Sequence, residues 1–119
     1  MTEPFPVTIF HNPACGTSRN VLEMVRAAGH EPEVVEYLKT GWDAEGLGAL
    51  LQAAGLTPRE AMRTKGDLAR ELGLLNDGVS DGAILTAMVE HPVLVERPLV
   101  RTPKGVVLAR PKEKVLEVL

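Results

Sequence analysis

Apolar positions near the start of the chain follow the pattern of a strand, a helix and a second strand. Residues 7–10 form a short apolar run, as expected for a buried strand. Over residues 17–28 apolar side chains recur at helical spacing, and Gly29 is a natural helix stop. Residues 34–38 are the second strand candidate. Strand, helix and strand in so short a stretch predict a βαβ unit with parallel strands and a right-handed crossover.

The middle of the chain carries only helical patterns. Apolar residues recur at helical spacing as far as Ala54, and Gly55 marks the end of that helix. Further helices are predicted to start at residues 58–62, to cover 68–72 as a short helix, and to cover 80–90 with Ser80 as the N-cap. This block, residues 41–92, is therefore predicted to be an all-helical insertion.

Strand-type sequence returns after His91-Pro92. Residues 99–102 and 106–108 flank the turn signal Pro103-Lys104-Gly105 and predict an antiparallel hairpin, and residues 113–119 predict a final helix. The order of elements predicts an α/β thioredoxin-like fold. In this prediction residues 1–119 form a single domain, and the helical insertion separates an N-terminal βαβ unit from a C-terminal ββα unit.

Composition narrows the class of protein. The 119 residues are 45% hydrophobic and 24% charged, as in ordinary folded domains, and include one cysteine. Because one cysteine cannot form an internal disulfide, a reducing cytoplasmic setting is expected. The net charge of −3 gives no general attraction for nucleic acid or an anionic membrane. No apolar run approaches the ~20 residues of a membrane span, and residues 1–6 lack the features of a signal peptide.

The cysteine, Cys15, follows the first strand through a Pro-containing loop and directly precedes the first helix. At a helix N-terminus, unpaired N–H groups and the positive end of the dipole stabilise a thiolate, which is the reactive form. This position favours a reactive cysteine over a small buried hydrophobic residue. His11, four residues earlier, would lower the thiol pKa as an imidazolium near the sulfur. It is equally interpreted as a strand-end residue bonded to backbone.

The chain has no second thiol that could resolve an adduct on Cys15. Ser18 occupies the position where a Cys-x-x-Cys protein carries its partner, so a thiol from outside the chain is required. For Ser18 and Thr17 themselves, helix capping is the favoured role. A cysteine-dependent phosphatase is excluded, because its loop carries an arginine six residues after the nucleophile and this chain has Val21 there.

Arginines flank the predicted hairpin as Arg97-Pro98 and Arg110-Pro111, and Arg63 lies in the helical block. Guanidinium groups suit tetrahedral oxyanions because their donors form a rigid fork. Each arginine taken alone is an ordinary surface residue. A thioredoxin-like fold places a cis-proline before the strand that faces the active cysteine, and Pro98 is expected to be that residue.

A decapeptide surrounds the cysteine at residues 11–20 and reads His-Asn-Pro-Ala-Cys-Gly-Thr-Ser-Arg-Asn. This segment resembles the active-site segment of the glutaredoxin-coupled arsenate reductases, and it is far more specific than a bare Cys-x-x-Ser. The resemblance covers nearly the whole chain. Its further motifs are Leu22-Glu23-Met24, Glu31-Pro32, Tyr37-Leu38, Arg63, His91-Pro92, Glu96-Arg97-Pro98 and Ala109-Arg110-Pro111.

The resemblance implies a role for each matching residue. Cys15 corresponds to the family nucleophile, and His11 corresponds to the histidine that favours the thiolate. The arginines that bind arsenate and its reduced adduct correspond to Arg63, Arg97 and Arg110. The supporting residues are expected to be Gly16, Thr17, Ser18 and Pro98. No metal site and no bound cofactor are expected.

The resemblance also implies a reaction and its partners. The Cys15 thiolate would attack arsenate, and glutathione as co-substrate would then take the arsenic from As(V) to As(III). A glutaredoxin would reduce the mixed disulfide as arsenite leaves, in a monomeric cytoplasmic enzyme of arsenic detoxification. The alternative is a thiol protein of the same fold without arsenate activity, with a glutathione-linked redox role or a regulatory interaction role.

Overall fold

The computed structural model of the protein describes residues 4–119. The expectation that the chain starts without a signal peptide rests partly on residues 1–3, which lie outside the described residues. The described residues divide into two compact units. One contains the residues up to Thr40 together with Arg97–Leu119, and the other is Gly41–Glu96.

The first unit is built on a four-stranded mixed sheet. Its strands are β1 (Thr8–His11), β2 (Glu33–Glu36), β3 (Leu99–Thr102) and β4 (Gly105–Leu108), in the order β2-β1-β3-β4. β1 pairs parallel with β2 and antiparallel with β3, and β3 pairs antiparallel with β4. The βαβ unit, the hairpin and the α/β fold class predicted from the sequence are confirmed.

Two helical segments pack with this sheet to form the core of the first unit. They are α1 (Gly16–Ala27) and a C-terminal 3₁₀ helix, Lys112–Glu117. Short β-branched side chains fill the layer between helices and sheet because they pack well on a pleated surface. The fully buried members of this cluster are Ile9, Val21, Val25, Val100, Ala109 and Val115.

The second unit is mainly helical. Its helices are α3 (Ala44–Ala53), α4 (Pro58–Ala61), α5 (Leu68–Glu71), α6 (Asp81–Glu90) and a 3₁₀ helix, Pro92–Leu94. The Asp43, Thr57 and Ser80 side chains cap the starts of α3, α4 and α6, respectively, by accepting backbone N–H groups. The core of this unit includes Leu47, Leu51, Ile84, Met88 and Leu94. The division of the chain into domains stays a prediction.

Two predicted elements differ in the structure. The second strand ends at Glu36, and α2 (Tyr37–Thr40) begins where the strand was expected to continue. Within this short helix, Tyr37 is buried and Leu38 is largely exposed. The final helix predicted at residues 113–119 is present as a 3₁₀ helix over Lys112–Glu117. It begins directly after Pro111 and is tied to the sheet by the Thr102 hydroxyl, which donates to the Val118 carbonyl at 2.6 Å.

Candidate active site

The loop between β1 and α1 delivers Cys15 to the start of the helix. Cys15 is the N-cap of α1 and has extended backbone angles, φ −94° and ψ 121°. Its carbonyl accepts the Arg19 N–H at 3.0 Å, the first turn of the helix. The side chain is partly exposed, so a reagent from solvent can reach the sulfur. The position predicted for Cys15 is therefore confirmed.

Asn12 shapes this loop, and the sequence interpretation did not single it out. Its side-chain Oδ1 accepts the Ala14 N–H at 2.9 Å, and its carbonyl accepts the Cys15 N–H at 3.0 Å. Arg19 adds a bond from its guanidinium to the Pro13 carbonyl at 2.9 Å. The sequence feature that could have identified this role is the pair Asn12-Pro13, because Asn side chains bond the backbone two residues on and initiate turns.

Ser18 is fully buried and does not cap the helix with its side chain. Its Oγ lies 2.7 Å from His11 Nδ1 and accepts the Asn12 N–H at 3.1 Å. The predicted capping role for the Ser18 side chain is wrong, because the hydroxyl faces the end of β1. Ser18 therefore joins the helix to the strand and to the loop that carries the cysteine.

His11 occupies the last position of β1, beside Glu36 of β2. Burial lowers the pKa of His11; Glu36 opposes this, and the positive charges of Arg19 and Arg26 lower the pKa further. The lowered pKa favours the neutral ring over an imidazolium, and the role of His11 in favouring the thiolate stays a prediction. Because Ser18 Oγ already accepts the Asn12 N–H, its own hydroxyl hydrogen is available to a neutral Nδ1.

Cations from the far end of the chain act on Cys15. Burial raises the pKa of the thiol, but the Ser18 backbone N–H and the guanidinium groups of Arg97 and Arg110 outweigh burial. The net result is a Cys15 pKa below its ordinary value. Arg110 Nη1 lies 3.9 Å from Cys15 Sγ. The site thus favours the thiolate, which is the nucleophilic form.

The sheet register explains how these arginines reach a cysteine that is so distant in sequence. Phe10 in β1 lies opposite Leu99 in β3, and Leu99 lies opposite Leu108 in β4. Because both pairings are antiparallel, the end of β1 adjoins the start of β3 and the end of β4. Residues 97 and 110, which lie two positions outside those strands, therefore lie at the same edge of the sheet as the loop that carries Cys15.

Arg97 presents hydrogen-bond donors without partners. Its side chain is 8% exposed, and its Nε and Nη1 have no hydrogen-bond partner among residues 4–119. Its carbonyl accepts Arg110 Nη1 at 3.0 Å, which couples the two arginines. Buried donors of this kind are costly unless they bond an acceptor. Two guanidinium groups beside a thiolate thus form a site suited to an oxyanion.

The proline predicted to be cis precedes β3. The Arg97-Pro98 peptide bond is cis, and so is the Arg110-Pro111 bond. The Pro98 carbonyl accepts the Ala109 N–H at 2.9 Å, so this proline also closes the end of the hairpin. The cis geometry expected at Pro98 is confirmed.

The other predicted site residues lie in different surroundings. Arg63 belongs to the second unit, where it forms an ion pair with Glu96 at 3.2 Å and its backbone N–H bonds the Leu94 carbonyl. Its role in an anion site stays a prediction. Gly16 and Thr17 open the first turn of α1, where Gly16 is exposed and Thr17 is half-buried.

Within residues 4–119 there is no cluster of three or more His, Cys, Asp or Glu side chains that could hold a metal ion. Over the same residues, no helix is both long and apolar enough to cross a membrane.

Comparison with known proteins decides the family. The chain matches the ArsC family over residues 10–118, which includes the cysteine and all three arginines of the predicted site. The chain belongs to the ArsC family. The resemblance to glutaredoxin-coupled arsenate reductases stated from the sequence is thereby confirmed.

Curated relatives and a solved structure agree with this assignment. The chain is 56% identical to an arsenate reductase of Synechocystis over 119 residues, which are all of this chain and 82% of that protein. It is 45% identical to an arsenate reductase of Escherichia coli over 95% of this chain and 80% of that one. The structure of an arsenate reductase from Vibrio cholerae superposes with a TM-score of 0.93. The two chains are 42% identical, and the match covers 98% of this chain and 100% of the Vibrio cholerae chain. This structural match supports the thioredoxin-like fold class.

Proposed function

We propose that this ArsC-family protein reduces arsenate to arsenite through a covalent adduct on Cys15. The observation that carries the proposal is a lone, partly exposed cysteine whose thiol pKa is lowered beside the buried guanidinium of Arg97 and the guanidinium of Arg110. A thiolate supplies the nucleophile, and the two cations suit a tetrahedral oxyanion.

In the first step the Cys15 thiolate attacks the arsenic of dihydrogen arsenate. A sulfur–arsenic bond forms and an arsenic–oxygen bond breaks, and the departing oxygen takes a proton and leaves as water. Arsenic remains As(V) in this adduct. The Arg97 Nε and Nη1 donors and the Arg110 guanidinium bond the arsenate oxygens, where negative charge increases as the thiolate attacks.

In the second step the thiolate of glutathione attacks the sulfur of Cys15. A sulfur–sulfur bond forms, the sulfur–arsenic bond breaks, and arsenic keeps that electron pair and becomes As(III). Arsenite leaves after it takes up protons. The single cysteine supports an external thiol, because the chain contains no second thiol that could perform this attack.

In the third step a glutaredoxin thiolate attacks the glutathione sulfur of the mixed disulfide. The Cys15 thiol is released, and the glutathionyl group passes to the glutaredoxin. We include Arg63 with Arg97 and Arg110 as a ligand of the oxyanion, on the strength of the family motif. The reaction as written needs no prosthetic group, and we propose that the protein performs it as a cytoplasmic monomer.

The test is arsenate-dependent oxidation of glutathione in the presence of a glutaredoxin. We expect the wild-type protein to be active, Cys15→Ser to be inactive, and Arg97→Ala to lose most of its activity. Arg101→Ala is the matched control, since it makes the same substitution at an exposed arginine of β3 that lies over the Phe10 ring at 5.4 Å.

A second measurement separates this proposal from a thiol protein that does not use arsenate. We expect arsenate to slow the alkylation of Cys15 in the wild-type protein but not in Arg97→Ala. Activity that persists in Cys15→Ser would refute the proposal. A Cys15 that forms a disulfide with glutathione while arsenate never alters its alkylation would favour the alternative.

A further inference from the structure

A pocket of about 410 Å³ lies in the first unit, between the first turn of α1 and the start of the C-terminal 3₁₀ helix. Its lining residues are Thr17, Arg110, Pro111, Lys112 and Glu113. Arg110 links the pocket to the cysteine, because it is a lining residue and its Nη1 is 3.9 Å from Cys15 Sγ. Thr17 lies in the first turn of the helix that Cys15 caps. The pocket therefore shares Arg110 with the cysteine and adjoins the helix that Cys15 caps.

The charges that line the pocket are of both signs. Arg110 and Lys112 are cations, and Glu113 is an anion. Neither Lys112 nor Glu113 forms an ion pair or a side-chain hydrogen bond within residues 4–119, and both are exposed. Their charges are therefore available to a ligand that carries carboxylate groups and an ammonium group.

We propose that this pocket binds the peptide part of glutathione during the second step, an inference that rests on the proposed function. Glutathione carries two carboxylates, one ammonium group and a thiol between them. Lys112 pairs with a carboxylate, and Glu113 pairs with the ammonium group. The volume lies at the lower end of the range of about 300–1,000 Å³ for small-ligand pockets.

The mixed charge favours this ligand over a second oxyanion. Arsenate has several acceptor oxygens and no cationic group, so Glu113 would repel it. A thiol peptide that carries carboxylates and an ammonium group can pair with Lys112 and Glu113 at once. In this arrangement the pocket holds the reductant at one side of Cys15 while the buried donors of Arg97 hold the oxyanion.

The test uses a reaction that does not involve arsenate. Glutathione disulfide is added to the full-length protein, and the glutathionyl adduct on Cys15 is followed by mass spectrometry. The Cys15 thiolate attacks one sulfur of the disulfide, a new sulfur–sulfur bond forms, and one glutathione leaves as a thiolate. Hydroxyethyl disulfide, which is uncharged, is the parallel probe of the same sulfur.

The variants are Lys112→Glu and its matched control Lys114→Glu, which makes the same charge change in the same 3₁₀ helix outside the pocket. We expect Lys112→Glu to slow glutathionylation about tenfold, since the loss of a charge-assisted contact has this order of effect. Lys114→Glu is expected to react like the wild-type protein. All three proteins are expected to react equally with hydroxyethyl disulfide.

Two outcomes would overturn the inference. One is an equal rate of glutathionylation in Lys112→Glu and Lys114→Glu. The other is an equal slowing of both disulfides in Lys112→Glu, which would show an effect on the thiol itself. The proposed function fails separately, when the wild-type protein oxidises no glutathione on addition of arsenate. In steady-state assays of an active protein, Lys112→Glu should raise KM for glutathione with kcat at saturating glutathione preserved.

Discussion

Replacement of Arg110 by glutamine tests whether its charge makes Cys15 reactive. Arg110 Nη1 and Cys15 Sγ are 3.9 Å apart. Two unit charges at this distance attract by about 1 kcal/mol in water and by about 4 kcal/mol at an effective dielectric constant of about 20. Because the cysteine is partly exposed, the lower figure applies. About 1–1.4 kcal/mol corresponds to a five- to tenfold change in the thiolate population.

The positive charge of Arg110 decides the direction in which the Cys15 pKa changes. The guanidinium stabilises the thiolate, so its removal raises the Cys15 pKa, and less thiolate is present at a pH below the wild-type pKa. We expect Arg110→Gln to slow alkylation by iodoacetamide about five- to tenfold in that range. Above both pKa values the two proteins should react at the same rate, because each is then fully ionised.

The assay is the alkylation rate of Cys15 measured across a pH series. Arg101→Gln provides the control for loss of one positive charge elsewhere, and its profile should match that of the wild-type protein. A profile of Arg110→Gln that superposes on the wild-type profile would refute the electrostatic argument. A rate lowered by the same factor at every pH would also refute it, because that result indicates altered access to the sulfur.

Two further predictions concern stability. Ser18→Ala removes the hydroxyl that contacts buried His11 Nδ1 and the Asn12 N–H. We expect the free energy of unfolding in urea to fall by about 1–3 kcal/mol. An unchanged unfolding midpoint would show that these two contacts do not stabilise the fold. Arg59→Met removes guanidinium bonds to the Asn76 and Val79 carbonyls at 3.2 and 2.7 Å, so amide hydrogen exchange in residues 74–79 should accelerate. Equal exchange in both proteins would show that Arg59 does not order this segment.

Local signals were sufficient for most of the secondary structure. Ser80 was expected to cap a helix, and its Oγ accepts the Ala83 N–H at the start of α6. A turn at residues 103–104 separates β3 from β4, and Gly105, which was assigned to the turn, is the first residue of β4. Such features depend on a few adjacent residues, so they can be read without knowledge of the rest of the chain. The C-terminal helix was predicted as well, but its 3₁₀ form was not evident from the local pattern.

The roles of His11 and Ser18 could not be settled by spacing. The sequence left His11 open between a cation beside the sulfur and a strand-end residue, and it favoured capping for Ser18. Burial favours a neutral His11, because a desolvated ring resists protonation, and it turns the Ser18 hydroxyl to the partners beside it. Neither degree of burial is visible in the spacing of the two residues.

The sequence by itself determined that Cys15 begins a helix after the first strand and that no second thiol in the chain can resolve an adduct. It also carried the family motif. Only the tertiary structure decided which cations act on the sulfur, because Arg110 is 95 residues away from Cys15 along the chain. The physical reason is the antiparallel register of β1, β3 and β4, which places the residues flanking the hairpin beside the loop that carries the cysteine.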